Sequence, residues 1–162
     1  MYTKILVPLD GSSLAERAVN HAAEIARGSG AEILLIKVVT VPLSQVPEAG
    51  ETEELKSIRE VAAKAQAYLS GIASRLAKEG LNAKAVVLEG SAVEAILGFA
   101  HEQNVDVLVM STHGRTGFSK VLMGSVAEQV MLTTKRPVML VKPDKFPLAH
   151  HIDEGEVYSS AH

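Results

Sequence analysis

Five short apolar runs punctuate the chain, and between them apolar residues recur at helical spacing. The runs are Ile5 to Leu9, Ile33 to Val39, Ala83 to Leu88, Val105 to Met110 and Val138 to Val141. Near-continuous β-branched runs that alternate with helices predict a parallel sheet covered on both faces. The third run alternates more than the others, which predicts an edge strand exposed on one side.

The helices begin with a recurring device. Ser13 with Glu16, Ser91 with Glu94 and Ser125 with Glu128 each match a capping box, in which Ser and Glu satisfy otherwise orphaned N–H groups. Each follows a predicted strand. The segment from about Thr52 to Glu79 reads as the long helix. Its apolar positions Leu55, Ile58, Ala62, Ala65, Leu69, Ile72 and Leu76 step by three and four, and Gly80 supplies its stop. Residues 40–51, with Pro42 and Pro47, read as a loop after the second strand, more a connection than a lid. Past Pro143 periodicity is lost, so residues 144–162 read as a loosely held tail on a single domain spanning 1–143.

Length and composition narrow the classes. At 162 residues the chain fits one self-supporting domain, and 47% apolar with 22% charged residues is ordinary for a globular protein. A net charge of −3 without a basic run gives no reason to expect nucleic acid. The absence of Cys excludes disulfides, thiolate catalysis and Cys-ligated zinc. MYTKILVPLD does not read as a signal peptide and no run approaches a membrane span, so the expected location is the cytoplasm.

Candidate chemistry concentrates in residues 110–128, MSTHGRTGFSKVLMGSVAE. A buried-looking strand runs into the polar, glycine-bearing stretch Ser111 to Gly117, and a helix is expected to start at Gly124-Ser125. Glycines let backbone approach a ligand closely, and a helix start favours anions, so this is a place to hold phosphate. In an open parallel sheet, ligands sit beyond the strand C-termini where connections diverge. If strands one and four are neighbours, Asp10, in Pro8-Leu9-Asp10-Gly11-Ser12, faces that loop across one crevice. Its carboxylate is suited to ribose hydroxyls or to a magnesium ion. Neither G-x-x-x-x-G-K-[ST] nor G-x-G-x-x-G is present, which argues against a conventional dinucleotide site.

The histidines are poorer candidates. His113 has no adjacent carboxylate to orient it and reads as a loop hydrogen-bonder rather than a base. His150 and His151, with Asp153 and Glu154, lack the i, i+4 spacing of a metal site, and His21 and His101 fall within helices as surface or packing residues.

MSTHGRTGFSKVLMGSVAE, together with VPLDGS near the start and RPVMLVKP near the end, resembles the universal stress protein family over about Thr3 to Pro143. The ATP-binding branch of that family carries glycine, two residues, glycine, nine residues, then glycine and Ser or Thr. Gly114, Gly124 and Ser125 match the last two-thirds of the pattern, while Ser111 stands where the first glycine is expected. The resemblance implies a Rossmann-like five-stranded parallel sheet of order 3-2-1-4-5. It puts Pro8, Leu9 and Asp10 beside adenine and ribose, and Val38 along the adenine pocket. Met110 and Ser111 would border ribose and phosphates; Gly114, Arg115, Gly124, Ser125 and Val126 would surround the phosphate chain. It also implies a homodimer paired through Val138 to Val141. The expected function is an ATP-binding stress-response protein, a switch or sensor with at most slow hydrolysis, because Arg115 and a metal near Asp10 supply charge but no base is evident. The alternative, motivated by Ser111, is a dimeric interaction module independent of nucleotide.

Overall fold

The computed structural model describes residues 1–40, 52–112 and 123–142. Its elements alternate strictly: β1 (Lys4–Pro8), α1 (Ser13–Ser29), β2 (Glu32–Val39), α2 (Glu53–Lys78), β3 (Ala83–Glu89), α3 (Ala92–Glu102), β4 (Val107–Ser111), α4 (Ser125–Thr133) and β5 (Val138–Val141). All neighbouring strands run parallel, in the order β3-β2-β1-β4-β5. The alternating third run forms an edge, as its pattern requires.

Side-chain alternation along β1 assigns the two faces. Ile5, Val7 and Leu9 join α1 and α2 in one core, with Ala18, Val19, Ala22, Leu69, Ile72 and Leu76. Leu6 joins α3 and α4 in the other, with Ile96, Ala100, Ala127 and Val130. Ile5, Leu6 and Val7 are completely buried, which is why this run shows no polar alternation. The α1 face is lined with alanines at Ala15, Ala18, Ala22 and Ala26, so this helix can lie close to the sheet.

Helix ends are set by specific bonds. α2 closes in a Schellman motif: Leu81 N–H donates to Leu76 C=O at 3.0 Å and Gly80 N–H to Ala77 C=O at 3.0 Å, with Gly80 at φ 79°. Its start is capped by Thr52, whose hydroxyl accepts from Leu55 N–H at 3.3 Å.

The predicted capping boxes require correction. α1 is capped by Ser12, whose hydroxyl accepts from Ala15 N–H at 3.1 Å. Gly11, at φ 90°, turns the chain after β1, and Ser12 N–H donates to Asp10 Oδ1 at 2.9 Å, so the helix begins one residue earlier than the Ser13–Glu16 pairing requires. Gly124 rather than Ser125 is the N-cap of α4. Ser91 does sit at the N-cap of α3, yet without a side-chain cap bond.

The amino ends of the strands are tied by Asp106. Its Oδ2 accepts from the Thr3 N–H at 2.7 Å, the Thr3 hydroxyl at 2.7 Å and the Lys4 N–H at 2.9 Å. The Thr3 hydroxyl and these backbone donors hold the carboxyl below its usual range. A carboxyl depressed in the folded state stabilises above its unfolded pKa, and that stability is lost as pH falls through the folded value. Asp106→Asn is therefore expected to lower the Tm at pH 7. It should also flatten the decline in Tm between about pH 5 and pH 2. A variant with an acid limb as steep as wild type would show the Thr3 contacts to be without effect.

Candidate functional site

The β1–β4 ladder is short. β1 pairs β2 over five positions, from Lys4↔Glu32 to Pro8↔Ile36, but pairs β4 only at Ile5↔Val107 and Leu6↔Leu108. Backbone geometry accounts for the difference. Leu9 N–H donates to Ile36 C=O of β2 at 2.8 Å, and Lys4 C=O accepts from Asp106 N–H at 3.0 Å. Successive N–H groups alternate sides, so the nitrogen of Pro8 points toward β4 and carries no hydrogen. The strands part there, and the sheet opens where its connections diverge to opposite faces.

The opening is a cleft of about 310 Å³, at the small end of the range for small-molecule sites. Pro8 comes to it from the end of β1, Leu9 and Asp10 from the residues just after it, Val38 from β2, and Met110 and Ser111 from β4. Gly124, Ser125 and Val126 come from the start of α4. Nine residues singled out from the sequence thus share one cavity. Gly114, Arg115 and His113 lie outside the described residues. Lys37, Ala92, Ile96 and Thr112 also line the cleft and were not singled out. Lys37 adjoins Val38, and Thr112 continues the Met110-Ser111 pair, so adjacency was their available signal; nothing in the sequence pointed to Ala92 or Ile96.

Thr112 positions the far wall. It is buried, its N–H donates to Val141 C=O at 3.0 Å, and its carbonyl accepts from Gly124 N–H at 2.6 Å. These bonds tie the end of β4 to β5 and to the first residue before α4. Neither α3 nor α4 has a side-chain cap bond, whereas α1 and α2 do. The uncapped helices reach the cleft through Ala92 and through Ser125 to Ala127. Orphan N–H groups in a first turn, together with the helix dipole, favour an anion.

The opposite side of the cleft includes two charged residues, Asp10 and Lys37. Asp10 is partly buried and fixed by Ser12 N–H. Lys37 Nζ lies 5.1 Å from the ring centroid of Tyr68 on α2, within cation–π range. The Tyr68 hydroxyl donates to Glu16 Oε1 at 2.9 Å. Burial, the bond to Glu16, and the charges of Glu16 and Asp10 push the Tyr68 phenol well above its usual range, against an opposing pull from Arg75.

Ser111 is the final residue of β4, in register with Val141, and its φ is not positive. A glycine is not required there by backbone conformation, so the departure from the motif introduces no strain.

Fold and cleft together define an open, doubly wound α/β domain with a crevice at its switch point. A model of the universal stress protein family matches residues 1–142. Universal stress protein MJ0531 of Methanocaldococcus jannaschii is 34% identical over 146 residues, which cover 90% of this chain and 85% of that one. The chain belongs to the universal stress protein family. The solved structure of protein MJ0577 from the same archaeon superimposes with a TM-score of 0.77 at 29% identity, covering 90% of this chain and 99% of that one. A universal stress protein from Archaeoglobus fulgidus, solved in complex with dAMP, superimposes with a TM-score of 0.64 at 27% identity, covering 87% and 98%.

Because Ser111 sits in regular strand, Ser111→Gly is expected to destabilise by about 0.5–1 kcal/mol through backbone entropy. Differential scanning calorimetry should record a Tm lower by about 1–4 °C. A raised Tm would show that the position does call for glycine.

Proposed function

We propose that this protein binds an adenine nucleotide, ATP foremost, in the cleft between β1 and β4. We read it as a nucleotide-dependent switch or sensor in a cytoplasmic stress response. One observation carries the proposal: the uncapped start of α4 faces the Asp10 side of the β1–β4 crevice across a cavity of suitable size. The complex of the Archaeoglobus relative with dAMP supports the ligand class. In this reading Pro8, Leu9 and Val38 hold the base, and Asp10 meets the ribose. Met110 and Ser111 border the sugar and phosphates, while Gly124, Ser125 and Val126, joined by Gly114 and Arg115, take the phosphate chain. Ser125 contributes more freely than its motif implied, since Gly124 takes the N-cap position.

Magnesium would reach the site with the phosphates. The described residues contain no group of three or more His, Asp or Glu able to hold a metal. Asp10 supplies one carboxylate already engaged by Ser12 N–H, so phosphate oxygens and water would complete the shell. Asp10 is also the only carboxylate among the described lining residues, and its hydrogen bond holds it in the turn rather than against a nucleophilic water. Hydrolysis is accordingly slow at most.

Identifying the nucleotide released from denatured purified protein, followed by titration calorimetry with ATP and AMP, tests the proposal. Gly124→Val is the informative variant. Gly124 sits at φ −71° and ψ 149°, a region open to valine, so the substitution adds bulk at the cleft without straining the backbone. Loss of binding by at least about tenfold, equivalent to roughly 1.4 kcal/mol, is the expected result with the fold retained by circular dichroism. Undiminished affinity would remove the phosphate assignment.

We also propose that two copies pair through β5. It is an edge strand, Met139 on it is 41% exposed, and Met131 and Leu132 at the end of α4 are exposed as well. An open edge with apolar side chains invites pairing. Light scattering should give a dimer mass for wild type at micromolar concentration and a monomer mass for Met139→Lys. A wild-type monomer would dispose of the pairing.

A further inference from the structure

Tyr68 is not among the cleft-lining residues, yet it contacts two elements that build one side of the cleft. Through its hydroxyl it reaches Glu16, in the first turn of α1. Three hydrogen bonds tie that turn to Asp10. Glu16 N–H donates to Ser12 C=O at 3.2 Å, the Ser12 hydroxyl accepts from Ala15 N–H at 3.1 Å, and Ser12 N–H donates to Asp10 Oδ1 at 2.9 Å. Through its ring, Tyr68 holds the ammonium of Lys37, a residue of the cleft lining next to Val38 near the end of β2. α1 and β2 are separate elements on the same side of the opening. A side chain from the middle of α2 joins them.

We propose that Tyr68 is a positioning residue for the nucleotide cleft, pinning the α1 turn that presents Asp10 to the β2 end that presents Val38 so that the base and ribose half of the site is pre-formed. This inference rests on the nucleotide reading above.

The chemistry of each contact fits the role. With Ser12 as N-cap, Glu16 falls one position beyond the place from which a capping-box carboxylate folds back on the cap. Its carboxylate accepts from Tyr68 instead. A hydrogen bond to an ionised acceptor is stronger and more directional than a neutral one. The phenol, held protonated by burial and by the neighbouring carboxylates, remains a donor throughout the physiological range. The ammonium over the ring face adds a contact that tolerates small shifts in angle. Such a tie spends ordering entropy before the ligand arrives, which is how a preformed site gains affinity.

The test compares wild type with Tyr68→Phe, Glu16→Ala, Glu16→Gln and the double variant Tyr68→Phe/Glu16→Ala, as full chains, by titration with adenosine and with AMP. Tyr68→Phe keeps the ring beneath Lys37 and removes only the hydroxyl. Tyr68→Phe and Glu16→Ala should each raise Kd for both ligands by about three- to tenfold, the scale of one lost charge-assisted bond acting indirectly. The double variant should bind as weakly as either single variant and no weaker, because both remove the same link. Glu16→Gln, which keeps an acceptor oxygen, should return Kd to within about twofold of wild type. Equal losses for adenosine and AMP would place the effect on the base and ribose half. A loss seen with AMP but not with adenosine would overturn the assignment. So would Kd values unchanged while the Tm falls, which is what a purely structural tie produces, or losses that add in the double variant. Wild type that binds neither ligand, nor ATP, would instead overturn the nucleotide reading itself.

Discussion

The parting of β1 from β4 is the constraint on which the rest of the molecule depends. Both strands belong to one parallel sheet, and parallel strands joined by helices require right-handed crossovers. Connections that leave β1 toward β2 and β4 toward β5 therefore place α1 and α2 on one face and α3 and α4 on the other. Between them, among the described residues, a cleft opens at the carboxyl ends of the central strands. Pro8 widens this gap, since it cannot donate across to β4, and the ladder stops after Leu6↔Leu108. Complete burial of Ile5, Leu6 and Val7 anchors the strand just before it parts.

The two walls of the resulting cleft are built on different physics. On the β4 side, Thr112 clamps Gly124 and Val141, so the first turn of α4 is aimed by backbone bonds, and its N-cap Gly124 makes no side-chain cap bond. That wall is electropositive without any basic side chain among the described lining residues there, because its charge comes from peptide dipoles. On the β1–β2 side, side chains carry the charge. Asp10, Glu16, Lys37 and Tyr68 form a partly buried group in which each acid has a donor and the cation has a ring. A ligand with an anionic end and a hydroxyl-bearing end matches that polarity.

How much of this was legible in the sequence depended on the range of the interaction involved. The number of strands, their alternation with helices and the long stripe of α2 were all readable, since burial on a strand or helix face writes a local period into the chain. The alternating pattern of Ala83 to Leu88 marked an edge strand, and that strand occupies one. Boundaries were less legible. α1 begins at Ser13 with Ser12 as cap, because the Asp10–Ser12 turn, and not the nearest Ser-x-x-Glu match, decides where the helix starts. Ser111 read as the opening of a loop. Pairing with β5 draws it into β4, where its φ is not positive and glycine is not required.

Periodicity and turn residues in the chain determined the class of fold, the two covered faces and the general whereabouts of a ligand crevice, since those follow from patterns a few residues long. The full strand order came from the family resemblance rather than from the periods themselves. Tertiary structure alone decided that Lys37, Tyr68 and Glu16 meet, that Thr112 rather than Ser125 anchors the start of α4, and that Ala92 and Ile96 close the cleft. Glu16 and Tyr68 are 52 positions apart in the chain. No local pattern encodes such a meeting, because it exists only once two helices have packed on the same face of the sheet.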